Sequence, residues 1–219
     1  METTLNHENP PIGKQMLADA VCRPILFSTP MVEAVLACKK HVTRRIFKVN
    51  KEIVNHPNEV ISFDYEIQEA VYNSLGGQSW HKCPYGQVGD ILWVRETFQE
   101  TTFLHQSDEN YGYIYKASEN GREWEANDES WKWKPSLFMP KSACRLFLEI
   151  TDIKVERLQD ISADEIKKEG VSYTIDYYPS LIEQWENLWV KINGQNSWDR
   201  NPFVWAISFN VVECPYGFC

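Results

Sequence analysis

A long run of strand-forming residues, SACRLFLEITDIKVERLQDI at 142–161, is the feature that most constrains the fold of this chain. It predicts one long strand, or two strands with a bend. Because most of the predicted strands do not alternate with helices, the sequence predicts an α+β, mainly β fold, not a doubly wound α/β fold. The expected form is a small mixed β-barrel with peripheral helices and loop insertions. The other predicted strands lie at 23–28, 41–47, 90–98, 111–117 and 201–213.

Three helices are predicted around these strands. The first begins after Ser28 or Thr29, either of which can be its N-cap, and a proline follows in its first turn. The second begins with a capping box at Ser162 and ends at Gly170. The third follows Pro179 and has one apolar face. The residues of that face are Leu181, Trp185, Leu188, Trp189 and Ile192.

The domain organisation follows from composition along the chain. We interpret 23–213 as a single domain, preceded by a flexible segment at 1–22 and followed by a tail at 214–219. Turn-rich stretches predict insertions near 50–85 and near 99–140. The second insertion contains a polar stretch with three tryptophans, which is interpreted as a hairpin or a loop.

The chain has 219 residues and a formal net charge of −9. Such an acidic chain is not expected to coat nucleic acid, because non-specific binding to phosphates needs a broad basic surface. A small basic pocket for one nucleotide or base is still compatible with this charge. No apolar run approaches the roughly 20 residues that span a bilayer, and the polar start lacks the pattern of a signal peptide. We therefore expect a cytoplasmic protein without membrane contact.

Cysteine and histidine spacing predicts neither disulfides nor a metal site. The six cysteines lack a CxxC pair, so free thiols are expected, and the five histidines lack an HxxxH spacing. The sequence also lacks a Walker-type glycine loop and a GxSxG motif. No metal and no cofactor are predicted.

The segment CKKHVTRRIFK at 38–48 concentrates basic residues in this acidic chain. These residues alone leave two interpretations open. They form a solvated basic face, in which Thr43 is an ordinary strand residue, or they form the wall of a pocket. In the second case, Lys39, Arg44 and Lys48 are expected to be only its solvated rim.

This segment and two later ones resemble the ASCH family, whose fold is PUA-like. The family pattern Gly-x-Lys-x-x-Thr/Glu-x-Arg after the first helix is matched at 38–45, except that Cys38 replaces the glycine. The family element Gly-Asp-x-Leu-x-Val is matched at 89–94, and a late Glu-Gly pair is matched at 169–170. The longer layout is similar to that of ASCH proteins often found in phages and prophages.

The resemblance implies a function as well as a fold. A small bacterial member of the family is an amidohydrolase acting on N4-acetylcytidine, and its catalytic residues correspond to Lys40, Thr43 and Glu169. A metal-free amidohydrolase acting on an acylated nucleoside is therefore implied. The alternatives are a non-catalytic module that binds RNA or a modified base, and a host-interaction protein that uses the tryptophan-rich insertions.

The residue types are compatible with amide hydrolysis. A threonine hydroxyl is a weak nucleophile that needs a base beside it. Lys40 can be that base if burial and neighbouring cations lower its pKa. Glu169 can orient the lysine or protonate the leaving amine, but an ionised Glu169 would raise the pKa of Lys40. The sequence leaves open which effect is larger.

Six further residues are candidates for substrate binding. The first two precede the first helix, where free N–H groups can hold an anion or a base carbonyl, although plain capping is the alternative. The last two lie beside a tryptophan in the strand at 90–98, where they either line the cavity or form a salt bridge. The candidates are Ser28, Thr29, Arg45, Trp93, Arg95 and Glu96.

Overall fold

The computed structural model describes residues 20–49, 52–53, 60–74, 77–100, 112–118, 132–171 and 180–218. The strands are β1 (Cys22–Leu26), β2 (Val42–Ile46), β3 (Lys48–Val49), β4 (Glu52–Ile53), β5 (Val60–Asp64), β6 (Glu69–Ser74), β7 (Gly77–Lys82), β8 (Ile91–Arg95), β9 (Phe98–Glu100), β10 (Tyr113–Tyr115), β11 (Phe147–Arg157) and β12 (Phe203–Val212). The α-helices are α1 (Thr29–Leu36), α2 (Ala163–Lys168), α3 (Leu181–Asn193) and α4 (Asn196–Asp199), and 3-10 turns lie at Ser136–Phe138, Lys141–Ala143 and Leu158–Asp160. The predicted α+β, mainly β class is confirmed.

The main sheet has five strands in the order β1-β8-β11-β12-β2. β1 runs parallel to β8, and the other neighbouring pairs are antiparallel. The long strand predicted at 142–161 is β11, whose 11 residues pair with β8 on one side and with β12 on the other. A register shift between Ile150 and Asp152 marks a β-bulge, which bends a strand without ending it.

The edge strands of this sheet are β1 and β2, and no strand pairing joins them within the described ranges. They approach through a side chain, since Nη2 of Arg45 in β2 donates a hydrogen bond of 2.8 Å to the carbonyl oxygen of Leu26 in β1. The described part of the chain is therefore a mixed sheet with two edges in contact, and not a barrel closed by backbone pairing.

β12 separates two hydrophobic clusters, because successive side chains of a strand point to opposite faces. Trp205 and Ile207 lie in the larger cluster. Val204 lies in a second cluster together with Trp185 and Trp189 of α3. α3 is therefore fixed against the face of β12 that lies opposite the larger cluster.

The helices begin where the sequence predicted. Ser28 is the N-cap residue of α1, and capping boxes open both α2 at Ser162 and α3 at Ser180. The two capping boxes satisfy backbone N–H groups that have no partner inside the helix. α3 is the longest of the described helices, with 13 residues. None of the described helices is long and apolar enough to cross a membrane.

The described residues of the region 50–88 are more regular than the sequence predicted. β5, β6 and β7 form a three-stranded antiparallel sheet, and β3 pairs with β4. Ile61 and Ala70 of this sheet are buried in the larger hydrophobic cluster. The turn signals were recognised, but strands of two to six residues are too short for a decisive alternation pattern. The hairpin or loop predicted at 119–136 lies mostly outside the described residues.

Candidate functional site

The turn after α1 positions Lys40. Cys38 adopts a left-handed conformation with φ of 53°, and the N–H of Lys39 bonds back to the carbonyl oxygen of Ala34 at 2.8 Å. This is the tight helix exit for which glycine is normally favoured. The exit therefore forms with cysteine in the place of the family's glycine, at the conformational cost of a Cβ atom in the left-handed region.

The end of α2 positions Glu169 against Lys40. Glu169 is the C-cap residue of α2, and an isolated antiparallel backbone bridge joins it to Lys40. The next residue, Gly170, has φ of 89°, and a Cβ atom there would lie 2.9 Å from Cβ of Ala34 and 3.3 Å from Cβ of Lys40. Glycine is thus needed both for the backbone conformation and for the close approach of the two chain segments.

Lys40 and Glu169 form a buried ion pair. Lys40 is 2% exposed and Glu169 is 5% exposed. Nζ of Lys40 pairs with Oε2 of Glu169 and donates a hydrogen bond of 3.1 Å to the Glu169 carbonyl oxygen. The other carboxylate oxygen, Oε1, accepts a hydrogen bond of 3.0 Å from Nη1 of Arg44. Each oxygen of this carboxylate therefore has its own cation.

The ion pair belongs to a larger network centred on Arg44, whose side chain is fully buried. Nε and Nη2 of Arg44 donate to Oε1 of Glu156 at 2.9 and 2.6 Å, and Nη2 lies 3.3 Å from Oε2 of Glu165. Lys154 pairs with both of these glutamates. The prediction that Arg44 is a solvated rim residue was wrong, because three carboxylates from elsewhere in the chain enclose it. The network matches three cations with three carboxylates: Lys40, Arg44, Lys154, Glu156, Glu165 and Glu169.

A cavity of about 220 Å³ opens beside this network. The three residues proposed as catalytic from the motif, Lys40, Thr43 and Glu169, all line it. Arg45 lines it as well, so the cavity has cations at one wall. Apolar side chains of α1 and α3 also line the cavity, and the burial of Lys40, Arg44 and Glu169 strengthens the interactions between these charges.

Burial lowers the pKa of the Lys40 ammonium, because the charged form loses its hydration inside the protein. The adjacent Glu169 carboxylate acts in the opposite direction, and Arg45 and Arg44 reinforce the lowering. The net direction is downward, which answers the question left open by the sequence. A lysine with a lowered pKa has more of the neutral amine that a general base requires.

Thr43 is buried in β2, opposite Ile207 of β12. Within the described residues, no hydrogen bond joins its hydroxyl to Lys40, whose Nζ faces Glu169 instead. The two side chains line the same cavity, and no hydrogen bond joins them within the described residues. Lys40 would have to exchange its contact with Glu169 for one with Thr43 before it could act as a base.

Arg45 connects the cavity to a neighbouring groove of about 460 Å³. The groove is lined by Ser28 and Thr29 at the N-terminus of α1, so these two candidates lie next to the cavity but not in it. Ser28 is the N-cap residue, yet its side chain makes no capping hydrogen bond. The guanidinium of Arg45 stacks over the ring of Phe27 at 5.6 Å.

The structure places Trp93, Arg95 and Glu96 outside the cavity wall. Glu96 is buried and accepts hydrogen bonds of 2.9 and 3.0 Å from Arg145. The alternative from sequence was a salt bridge of the Arg95–Glu96 pair, whereas Glu96 forms its salt bridge with Arg145. Arg95 donates from Nε to the carbonyl oxygen of Met139 at 3.1 Å and stacks over the Trp93 ring. Arg95 thereby connects β8 to the segment of the first 3-10 turn, and none of the three side chains lines the cavity.

Two residues of the cavity wall were predicted only as part of an apolar helix face. Trp185 and Trp189 both line the cavity, and each is 3% exposed. Among the described residues, neither indole nitrogen has a hydrogen-bond partner. The periodicity of α3 indicated burial of this face, but a hydrophobic pattern contains no signal for an unpaired N–H donor.

Across the described residues, no group of three or more His, Cys, Asp or Glu side chains is arranged to hold a metal ion. Comparison of the chain with protein-family models, with curated proteins and with solved structures gave no match. The functional conclusion below therefore depends on the geometry of the cavity and on the motif resemblance.

Proposed function

We propose that this protein is an amidohydrolase that removes an N4-acyl group from a cytidine-type nucleoside such as N4-acetylcytidine. One observation carries the proposal: the buried side chains of Lys40, Thr43 and Glu169 line a single cavity although they come from two distant parts of the chain. As part of the same proposal, the mixed sheet with its edges in contact is a PUA-like fold of the ASCH family.

The first half of the reaction transfers the acyl group to the enzyme. Neutral Lys40 takes the proton of the Thr43 hydroxyl while Oγ1 attacks the amide carbonyl carbon, giving a tetrahedral oxyanion and an ammonium on Lys40. The bond from the carbonyl carbon to N4 then breaks, and Lys40 returns its proton to the leaving amine. The products are the free nucleoside and an acyl ester on Thr43.

The second half releases the acyl group. Neutral Lys40 removes a proton from a water molecule, which attacks the ester carbonyl carbon. The ester bond to Oγ1 breaks, Lys40 returns the proton to Thr43, and the carboxylic acid leaves. The guanidinium of Arg45 lines the cavity and supplies positive charge to both oxyanions.

Glu169 has two effects in this scheme. Its carboxylate raises the pKa of Lys40 and so opposes the effect of burial, which keeps the amine from becoming too weak a base. It also holds the Lys40 side chain through contacts to both the carboxylate and the backbone carbonyl oxygen. Arg44 in turn fixes the carboxylate by a 3.0 Å hydrogen bond to Oε1.

The direct test is incubation with N4-acetylcytidine and detection of cytidine by chromatography. Lys40→Met and Thr43→Val are expected to lower the rate by about 10²- to 10⁴-fold, the usual contribution of a general base or an activated nucleophile. Lys39→Met is the matched control, since Lys39 is the exposed neighbour of Lys40 and does not line the cavity. Absence of turnover at high enzyme concentration, or equal rates for all of these variants, would refute the hydrolase.

A second candidate function is a non-catalytic module that binds the same class of base. The observation in its favour is that Nζ of Lys40 faces Glu169 and not Thr43. A binding module would retain N4-acetylcytidine in a dialysis experiment without converting it. Thr43→Val would change the affinity of such a binding module very little. In the hydrolase, the same substitution removes the nucleophile and abolishes most of the turnover.

A further inference from the structure

Tyr85 is a residue of the cavity wall that the proposed mechanism does not use. It lies in the turn between β7 and β8, and it lines the same cavity as Lys40 and Arg45. The side chain is half-buried, and it packs against the larger hydrophobic cluster. This packing fixes the ring in one position, as is required of a residue that recognises a ligand.

The turn that contains Tyr85 is held from below by the buried carboxylate of Asp90. Oδ2 of Asp90 accepts a hydrogen bond of 3.0 Å from the N–H of Gln87. The residue after Tyr85 is Gly86, which has φ of 124°, and a Cβ atom there would lie 2.6 Å from the same Oδ2. The close approach of the turn to Asp90 therefore fixes the backbone beside Tyr85.

The hydroxyl of Tyr85 is available to a ligand. It makes no hydrogen bond to a described residue, and it is not among the buried polar atoms that lack a partner. The oxygen is therefore accessible from outside the protein. A phenolic hydroxyl can donate one hydrogen bond, and this donor is unused within the described part of the chain.

This hydroxyl lies near the guanidinium of Arg45. Burial lowers the pKa of Arg45, whereas Tyr85 and Glu169 raise it, and the effect of Tyr85 is the larger of the two. Because electrostatic effects weaken with distance, the phenolic oxygen is close to the guanidinium. Nη2 of Arg45 donates to the carbonyl oxygen of Leu26, and the guanidinium has further N–H groups. A phenolic O–H and guanidinium N–H groups thus occupy one part of the cavity wall.

We infer that Tyr85 is a substrate-binding residue that donates, beside Arg45, to the acyl oxygen of the substrate, an inference that rests on the proposed function. A carbonyl oxygen has two lone pairs and can accept from both side chains at once. Cytidine lacks this oxygen and would leave both donors without an acceptor. Tyr85 therefore selects acylated over unmodified nucleosides.

The inference predicts two effects of different size. The acyl oxygen of the bound substrate is neutral, so one hydrogen bond to it contributes roughly 3- to 10-fold in affinity. The oxyanion that forms when Thr43 attacks is charged, and the same donor stabilises it more strongly. Loss of one such donor commonly lowers kcat by roughly 100-fold or more.

The binding experiment uses the Thr43→Val protein, which lacks the nucleophile, in calorimetric titrations with N4-acetylcytidine and with cytidine. Adding Tyr85→Phe removes a single oxygen atom and keeps the ring that packs on the hydrophobic cluster. We expect it to weaken binding of N4-acetylcytidine roughly 3- to 10-fold and to leave binding of cytidine unchanged. Tyr113→Phe is the matched control, because Tyr113 is also half-buried but does not line the cavity. It should change neither affinity.

Turnover in the protein with Thr43 intact gives a second readout. Tyr85→Phe should lower kcat for N4-acetylcytidine roughly 100-fold, whereas Tyr113→Phe should retain the full rate. Urea midpoints of both variants confirm that each is folded. A residue that only supports the fold would not change the affinity for one nucleoside and spare the other.

The outcomes separate this inference from the hydrolase itself. A loss of affinity confined to N4-acetylcytidine, without turnover by the unmodified protein, would support the role of Tyr85 and refute only the hydrolase. Turnover with unchanged affinities and rate in Tyr85→Phe would refute the role of Tyr85 and leave the hydrolase standing. Equal losses for both nucleosides would also overturn the inference, because the hydroxyl would then not recognise the acyl group. Absence of binding of either nucleoside would overturn it as well.

Discussion

Lys40 and Glu169 lie 129 residues apart in the chain and are joined both by a backbone bridge and by an ion pair of buried side chains. The backbone bridge holds the two segments of the main chain next to each other, so their side chains meet at a short distance. Removing one partner of such a buried pair destabilises the fold strongly, because the other charge is then left buried and unpaired. Burial of the pair lowers the pKa of Lys40, and the contact with Glu169 raises it. The ion pair that stabilises the fold therefore also sets the pKa of the candidate base.

The pH dependence of hydrolysis should report the state of Lys40. A base acts when it is neutral, so the rate rises as the pH passes upward through the pKa of Lys40. Because burial lowers that pKa, we expect the midpoint of the rise in kcat/KM to lie below the ordinary lysine value of about 10.4. Glu169→Gln removes a carboxylate that raises the pKa, so the rise should move to still lower pH.

The pH profile is measured by chromatography of the released cytidine at each pH. Glu66→Gln is the matched control, because Glu66 is an exposed residue in the turn between β5 and β6. A midpoint that stays in place, or moves to higher pH, in Glu169→Gln would contradict the assignment of Lys40 as the base.

Arg44 should be a main determinant of stability. Arg44→Met leaves the buried Glu169 and the half-buried Glu156 without their guanidinium partner, and the expected loss is about 3–5 kcal/mol in the free energy of unfolding. Lys167→Met removes a cation of another ion pair, with Asp164, whose side chains are 58% and 85% exposed. That loss should stay below about 0.5 kcal/mol. Urea denaturation measures both, and similar losses for the two variants would refute the central role of Arg44.

Local sequence signals predicted much of the fold. The capping box at Ser162 and the strand pattern of 142–161 depend on neighbouring residues, which the sequence displays directly. The contact between Arg45 and Leu26 at the sheet edges depends on the curvature of the whole sheet. No short segment of the sequence contains a signal for that curvature. The alternation of strand residues can predict strands, but it cannot predict whether the sheet closes into a barrel.

The candidate site shows the same division. The spacing of Lys40 and Thr43 after the first helix was visible as a motif, and both residues line the cavity. The burial of Arg44 depends on Glu156 and Glu165, which lie more than a hundred residues further along the chain. A basic residue within a charged run looks solvated until its distant carboxylates are known.

The left-handed turn at Cys38 predicts a stabilising substitution. A residue with a Cβ atom loses roughly 1–2 kcal/mol in this conformation, whereas glycine loses about 0.5–1 kcal/mol of backbone entropy on folding. Cys38→Gly should therefore stabilise the protein by about 0.5–1 kcal/mol. Cys38→Ala keeps the Cβ atom and should leave the thermal midpoint unchanged, which separates backbone strain from any effect of losing the thiol. A rise in midpoint for the alanine variant, or none for the glycine variant, would contradict this explanation.

Gly170 and Gly89 offer a comparison that isolates the close approach at the site. Both lie in turns, with φ angles of 89° and 91°, so alanine is conformationally strained at both positions. A Cβ atom at Gly89 would meet nothing within 4 Å, whereas at Gly170 it would press on Ala34 and Lys40. Gly170→Ala should therefore lose about 1–3 kcal/mol more stability than Gly89→Ala, the usual cost of overpacking.

The same pair of variants tests whether the backbone at Gly170 positions Lys40 for hydrolysis. Relief of the contact at Gly170 requires the Lys40 segment to move away from α2, which misplaces the base. We expect Gly170→Ala to lower kcat/KM by roughly 10- to 100-fold, as small displacements of a reacting group commonly do. Gly89→Ala, at a position that does not line the cavity, should retain the full rate at temperatures where it is folded. Equal rates for the two folded variants, measured alongside their urea midpoints, would show that the bridge between Lys40 and Glu169 supports the fold without positioning the base.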